Sequence, residues 1–178
     1  MKILKIKKIF PIPLLVAIFS ASLLFSAERV VPSLIYRIFA YPAGGIVGFF
    51  LNAPTLTNSS NHLLIPTANK IIHITQSCSG FGFFCIVYSF LVFSTYKSTR
   101  LKSILTLSLL ILPIAYILSI ITNSFRIIAG YYADLIIVPQ LAANFKASLH
   151  QGIGVFLFLT VLFLISLILK TRFGYERT

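Results

Sequence analysis

The sequence predicts an all-α multi-pass membrane protein of about four to six transmembrane or re-entrant helices, with a small extracytoplasmic loop or β-hairpin ahead of Cys78. Of its 178 residues, 58% are hydrophobic and only 10% are charged, and the mean hydropathy is +0.97. Water-soluble domains do not have this composition. Four apolar runs approach the ~20 residues that a membrane span requires, and they lie at 10–26, 80–96, 103–122 and 151–169. We expect one integral membrane domain over residues 1–178.

The first apolar run has two interpretations. It follows the basic stretch KILKIKK and ends in FSA ahead of Glu28, as the apolar region of a secretory signal peptide does. We expect residues 1–27 to form an uncleaved signal-anchor span, because every later segment is also membrane-bound. Cleavage after Ala27 is the alternative. In both cases Glu28 is expected outside the membrane.

The charge pattern predicts which ends of the spans face the cytoplasm. The net charge of +12 comes from 15 basic and 3 acidic residues, which in a soluble protein would suggest a nucleic-acid partner. Here the basic residues flank apolar runs, as they do on the cytoplasmic side of multi-pass proteins, in clusters at 2–8, 97–102 and 170–177. We therefore expect a lipid bilayer and no nucleic acid as partner, with both termini cytoplasmic. Cys78, Arg126 and His150 are then expected on the outer face.

Two further apolar segments, 33–54 and 127–144, are predicted to be interfacial or re-entrant. Each is interrupted by helix-breaking or charged residues: Arg37, Pro42 and Gly44-Gly45 in the first, and Gly130, Asp134 and Pro139 in the second. Interrupted helices at membrane depth are tolerated where they pack against other protein segments. A span at 33–54 would put Cys78 inside the cell, and a span at 127–144 would separate Arg126 from His150.

The segment 53–77 is predicted to be an extracytoplasmic loop, because it is rich in Asn, Ser, Thr and Pro. Within it, HLLIP and KIIHIT are short β-like runs on either side of a Thr-Ala-Asn turn. A hairpin formed by these runs would lead the chain directly to Cys78 at the start of the second span.

Cys78 is the first candidate for chemistry. The order Ser77-Cys78-Ser79-Gly80 ahead of an apolar helix puts Cys78 within the first turn or at the cap. The N–H groups at a helix N-terminus favour a thiolate, which is the reactive form of cysteine, and can also hold an oxyanion. The alternative is a small buried cysteine, which is the expected role of Cys85. A disulfide between the two is not expected, because seven helical residues separate them by about 10 Å.

Arg126 and His150 are the other two candidates. Arg126 lies among apolar residues at the end of the third run, where a charge usually faces a protein interior or a cavity. Asn123, about one turn earlier, could orient its guanidinium. His150 opens the fourth run and suits proton transfer near neutral pH. A snorkelling arginine and an incidental histidine are the alternatives. Three spans packed side by side would bring Cys78, Arg126 and His150 together.

Other chemistries have less support in the sequence. The three acidic residues are scattered, which disfavours a carboxylate pair or a carboxylate-rich metal site. HExxH and a phosphate-binding glycine loop are absent, and two cysteines make neither a disulfide framework nor a zinc cluster. The sequence SCSG also lacks the first glycine of the GxSG motif of rhomboid-type serine proteases. We expect no cofactor and no metal.

Three motifs in order resemble those of the exosortase/archaeosortase family of membrane transpeptidases. They are CSG at 78–80, NSFR at 123–126, and His150 with Gly154 four residues later. PTA at 66–68 and the alternating stretch that leads to SCSG are also similar to that family's approach to its cysteine. The resemblance covers about residues 32 to 169, and the short chain looks most like the compact exosortase K type.

The resemblance implies a site and a function. Cys78 would be the nucleophile, Arg126 and His150 would complete the site, and Ser79, Gly80 and Asn123 would support it. The implied activity is a cysteine protease or transpeptidase that acts on exported proteins with a C-terminal signal: a short motif such as Pro-Glu-Pro, a transmembrane helix and a basic tail. The expected location is the bacterial inner membrane, with the site on the outer face.

Two alternatives to this function stay open. Ser77 or Ser79 could replace Cys78 as the nucleophile of the same kind of enzyme. The protein could also be a non-enzymatic small component of a membrane system that exports protein or polysaccharide. In that case Cys78, Arg126 and His150 would be replaceable, whereas packing positions such as Gly44 and Gly45 would not.

Overall fold

The computed structural model describes residues 28–57, 62–75, 78–96, 101–136 and 143–172, with the single positions 18, 22, 25 and 26. These residues are mostly helical, in α1 (Pro32–Phe50), α2 (Phe81–Tyr96), α3 (Leu101–Ile136) and α4 (Ala143–Arg172). A small sheet lies between α1 and α2 in the chain and comprises β1 (Leu56–Thr57), β2 (Leu63–Pro66) and β3 (Ile71–Ile74). The predicted span at 10–26 lies almost entirely outside the described residues.

Helices of membrane-spanning length confirm the coarse prediction of a helical membrane protein. Within the described ranges, three stretches are long and apolar enough to cross a bilayer: Pro32–Phe50, Ser108–Ile136 and Ser148–Thr171. The predicted span at 103–122 overlaps Ser108–Ile136, and the one at 151–169 lies within Ser148–Thr171. The predicted span at 80–96 corresponds to α2, which is apolar but has only 16 residues. At 1.5 Å per residue α2 covers about 24 Å, less than the ~30 Å hydrocarbon core of a bilayer.

Segment 33–54 differs from the interrupted segment that its sequence predicts. It is one 19-residue helix, α1, which passes through Pro42 and ends at Phe50. A proline removes one main-chain hydrogen bond, and tight packing offsets that loss. The packing is visible on the buried side of α1, where Phe39 lies 5.2 Å from the rings of Phe81, Phe84 and Tyr116. The interruptions in the sequence therefore do not break α1.

Segment 127–144 also differs from the separate partial helix that was predicted. Residues 127–136 extend α3, a continuous helix of 36 residues and about 54 Å, while 137–142 lie outside the described residues. Arg126 is therefore inside a helix and well before its end. Gly130 and Asp134 do not break α3 because both have partners on neighbouring elements. Gly130 packs against the ring of His150, and Asp134 pairs with Lys70.

The predicted hairpin is confirmed. Strands β2 and β3 pair antiparallel, with Leu63 opposite Ile74 and Pro66 opposite Ile71. The turn between them closes where the Thr67 N–H donates to the Lys70 carbonyl (2.9 Å). Strand β1 was not predicted, and it pairs antiparallel with the other edge of β2. Two described residues make a strand too short for an alternating pattern to indicate it.

Helix α1 holds the sheet in place through both apolar and polar contacts. Leu63, Ile65 and Ile74 are almost fully buried against Tyr36 and its neighbours on α1. The Tyr36 hydroxyl donates to the Ile74 carbonyl (2.6 Å) and accepts from the Leu63 N–H (2.8 Å), so it bridges β3 and β2. Because this buried hydroxyl both donates and accepts a hydrogen bond, it ties the two strands to the helix.

Gly44 and Gly45, the two glycines expected to be packing positions, have different surroundings in the structure. A Cβ at Gly44 would overlap the Leu63 side chain, so glycine there lets the sheet approach α1. A Cβ at Gly45 would meet nothing within 4 Å. Of these two glycines, only Gly44 has close packing contacts with the described residues.

Tyr36→Phe is expected to destabilise the protein by about 1–3 kcal/mol, because the buried Leu63 N–H and Ile74 carbonyl would both lose their hydroxyl partner. The measurement is thermal or denaturant unfolding in detergent micelles. Tyr41→Phe is the matched control, since Tyr41 lies on the same helix with 37% of its surface exposed. It should change stability by no more than about 0.5 kcal/mol. Equal losses in the two variants would contradict the bridging role of Tyr36.

Candidate functional site

A cavity of about 230 Å³ lies between β3, α3 and the first part of α4. Cys78, Arg126 and His150 all line it, so the structure brings together the three side chains singled out in the sequence. Each comes from a different part of the chain: the link from β3 to α2, the middle of α3, and α4. The other polar lining residues are Lys70, His73, Tyr131 and Asp134.

Cys78 lies in the short link that joins the sheet to α2. It is partly buried against the apolar cluster beneath the sheet, and its N–H donates to the Thr75 carbonyl (2.9 Å). Helix α2 begins at Phe81. The prediction that Cys78 lies in the first turn or at the cap is therefore wrong, because Cys78 is three residues ahead of the helix. Cys78, Ser79 and Gly80 form a short link ahead of the helix, and side chains of α3 hold this link in place.

Two side chains of α3 fix this link. Asn123 is fully buried, and its Nδ2 donates to the Cys78 carbonyl (2.6 Å). Ser119, about one turn earlier, donates to the Gly80 carbonyl (2.8 Å). Asn123 was predicted to orient Arg126, but its amide group positions the main chain of Cys78 instead. Its Oδ1 has no hydrogen-bond partner within the described part of the chain.

The two residues that follow Cys78 have structural roles. Gly80 has a φ of +86°, a conformation that side chains disfavour, and a Cβ there would lie 2.9 Å from the Asn123 Cβ and Cγ. Ser79 is 3% exposed, and its Oγ accepts from the Phe81 N–H at 3.4 Å. A buried hydroxyl that caps α2 is a poor nucleophile, which weakens the alternative based on Ser79. Ser77 lies outside the described residues.

Arg126 is held by α4 and has no acidic partner among the described residues. Its Cζ lies 5.8 Å from the centre of the Phe158 ring, and that ring stacks on Phe83 at 4.1 Å. A Cβ at Gly154 would lie 3.0 Å from the Arg126 Cδ, so the arginine stem passes closely over the backbone of α4. This position at a cavity wall argues against a side chain that only snorkels toward the membrane surface. The contact with an aromatic face leaves the charge of Arg126 unneutralised.

His150 is in close contact with α3. A Cβ at Gly130 would lie 2.6 Å from the His150 Cε1, so the glycine provides the space for the imidazole. The His150 Nδ1 is 3.8 Å from the Asp134 Oδ1, with the two side chains 51% and 30% exposed. The other Asp134 oxygen pairs with the Lys70 Nζ. The Lys70 Nζ in turn lies 5.2 Å from the centre of the Tyr131 ring. A lysine, a carboxylate and an imidazole thus follow one another along the cavity.

The sequence interpretation missed Lys70, Tyr131 and Asp134. A signal for one of them was present: Asn123, Arg126, Gly130 and Asp134 follow each other at spacings of three and four residues, which places them on one face of a helix. Because α3 was expected to end near residue 122, Asp134 was taken for part of a separate segment. Lys70 could not be found in this way, since it reaches the site only through the hairpin turn.

The protein matches no family model, no curated protein and no solved structure. We therefore infer the possible chemistry of the site from the side chains that line it. The cavity combines a thiol, an unneutralised guanidinium and an imidazole beside a carboxylate. These groups can supply a nucleophile, a stabiliser of negative charge and a proton carrier. Within the described ranges, no three His, Cys, Asp or Glu side chains are grouped to hold a metal ion.

Gly80→Ala is expected to destabilise the protein by about 1–2 kcal/mol for the φ alone, with a further loss because the methyl group would displace Asn123. Gly82→Ala is the matched control, because a Cβ at Gly82 would meet nothing within 4 Å. On α2 that change should stabilise by about 0.5–1 kcal/mol. Thermal unfolding in micelles measures both variants. If Gly80→Ala raised the unfolding temperature as Gly82→Ala is expected to do, the Cys78–Gly80 link would not require glycine.

Proposed function

We propose that the protein is an exosortase-like membrane cysteine peptidase or transpeptidase. Its substrates would be exported, membrane-anchored proteins with a C-terminal signal made of a short motif, a transmembrane helix and a basic tail. The observation that carries the proposal is the shared cavity of Cys78, Arg126 and His150. A chance arrangement of an interfacial cysteine, arginine and histidine would not require the link after the sheet and two helices to converge on one cavity.

The acylation step uses all three side chains. The Cys78 thiolate attacks the scissile carbonyl, and a tetrahedral intermediate forms whose oxygen carries the negative charge. Arg126 stabilises that oxyanion, because its guanidinium faces the cavity and has no carboxylate partner in the described ranges. The C–N bond then breaks while protonated His150 donates its proton to the leaving amine. The products of this step are a Cys78 thioester and the released C-terminal fragment.

The second step returns the enzyme to its starting state. His150, now neutral, takes a proton from the incoming nucleophile, which attacks the thioester carbonyl. Arg126 again stabilises the oxyanion, and the Cys78 thiolate leaves. Water as nucleophile gives proteolysis, and an amine or hydroxyl acceptor gives transfer. The cavity lies beside helices of spanning length, which supports a substrate that is itself anchored in the membrane.

The charge distribution supports an active site on the outer face of a bacterial inner membrane. The basic cluster at 97–102 lies between α2 and α3, and the one at 170–177 begins at the end of α4. Cys78, Arg126 and His150 lie toward the opposite ends of these helices. With the clusters in the cytoplasm, the cavity faces outward.

Cys78→Ala is expected to abolish processing, with a loss on the order of 10⁴-fold or more in rate, because the nucleophile is removed. The measurement is the C-terminus, by mass spectrometry, of a co-expressed tagged protein that carries the three-part signal. Cys85→Ala is the control, since Cys85 is buried in the helical core and does not line the cavity. Unchanged maturation in the Cys78→Ala strain would refute the enzyme and favour the non-enzymatic membrane component.

A further inference from the structure

We propose that the free edge of β3 binds the substrate as an added β-strand. The segment next to the scissile bond would lie extended in the cavity and pair with β3 through main-chain hydrogen bonds. This inference rests on the proposed function, and it defines the substrate's bound form: an extended, unfolded stretch of polypeptide.

The sheet has an open edge at the cavity. In the part of the chain that the structure describes, the strand order is β1-β2-β3, so β3 is paired on one side only. All four residues of β3 line the cavity, and Ile71 is 54% exposed. An unpaired edge presents a row of N–H and C=O groups that can template another strand. Extended peptides are recognised in this way by several unrelated folds.

The register of the hairpin decides which main-chain groups face the open edge. The Thr67 N–H donates to the Lys70 carbonyl, so Lys70 directs its main-chain groups toward β2. In an antiparallel pair this direction alternates along the strand, and every second residue after Lys70 shares it. Ile71 and His73 therefore turn their N–H and C=O groups away from β2, toward the cavity edge.

The position of Cys78 fits a substrate bound along this edge. Strand β3 ends at Ile74, and the Cys78 N–H donates to the carbonyl of the next residue, Thr75. The nucleophile thus lies just beyond one end of the strand. The Lys70–Asp134 ion pair joins the turn to α3 at the other end. A strand paired with β3 would extend for about four residues, or roughly 13 Å, from that ion pair toward Cys78.

The size of the cavity favours a single extended chain. At about 230 Å³ it is smaller than the ~300–1,000 Å³ of pockets that enclose drug-sized ligands. Its opposite wall is formed by Arg126, Ile127, Tyr131 and Asp134 of α3. Main-chain pairing would give affinity for many sequences, and the alternate side chains that face α3 would give selectivity.

His73→Pro tests the pairing, because proline removes an N–H from the open edge without removing one that faces β2. Each lost main-chain hydrogen bond should lower kcat/KM for processing by roughly 3- to 10-fold. Thr57→Pro is the matched control on the opposite edge strand, and it should leave processing unchanged. His73→Thr keeps the N–H and separates the contribution of the imidazole, so its loss should be smaller than that of His73→Pro.

A second measurement does not depend on the folding of a variant. Synthetic peptides that span the mapped cleavage site, each N-methylated at one successive position, are assayed with the full-length protein in micelles. Strand pairing predicts losses at every second position within about four residues of the scissile bond. Losses without this alternation, or none at all, would overturn the β3 proposal. Cys78→Ala is assayed in parallel: if it still processes the peptides, the proposed enzyme fails instead.

Discussion

The hydrogen bond from the Asn123 amide to the Cys78 carbonyl is the constraint on which the rest of the site depends. It ties the link after the sheet to a helix that carries Arg126 one turn further on, and its donor, the Asn123 side chain, is fully buried. If this bond were broken without a replacement, the buried Asn123 amide group would lose its acceptor, at a cost of about 1–3 kcal/mol. The positions of Cys78 and Arg126 relative to each other are thus set by one helix, and not by a flexible loop.

Close packing against glycine recurs at three polar side chains of the site. Asn123 packs on Gly80, His150 on Gly130 and Arg126 on Gly154, in each case where a Cβ would come within about 3 Å of the side chain. Each glycine lies on a different element from the side chain it receives. The helices can therefore approach one another through their functional side chains, and packing, together with hydrogen bonds, holds these side chains in place.

The hairpin, the helices after Cys78 and the convergence of Cys78, Arg126 and His150 could be predicted, because local pattern and charge determine them. The strands were indicated by apolar runs around a turn, and the convergence by basic clusters at the opposite helix ends. The length of α3 could not be predicted in this way. Gly130 and Asp134 are helix-weakening residues locally, and only their contacts with His150 and Lys70 make them compatible with a helix. The function itself stays a proposal.

The charges around the cavity differ in how far each is already neutralised. Asp134 has both oxygens engaged, one with Lys70 and one toward His150. Arg126 faces the cavity with an aromatic ring beside its guanidinium and, among the described residues, with no carboxylate partner. In a site of low dielectric a cation without a fixed partner interacts strongly with any negative charge that develops nearby. A thiolate and the oxyanion it produces are the two such charges in the proposed reaction. Arg126 would thus favour both the thiolate and the oxyanion without reorganisation. This role requires that Asp134 pairs with Lys70 and His150 and not with Arg126.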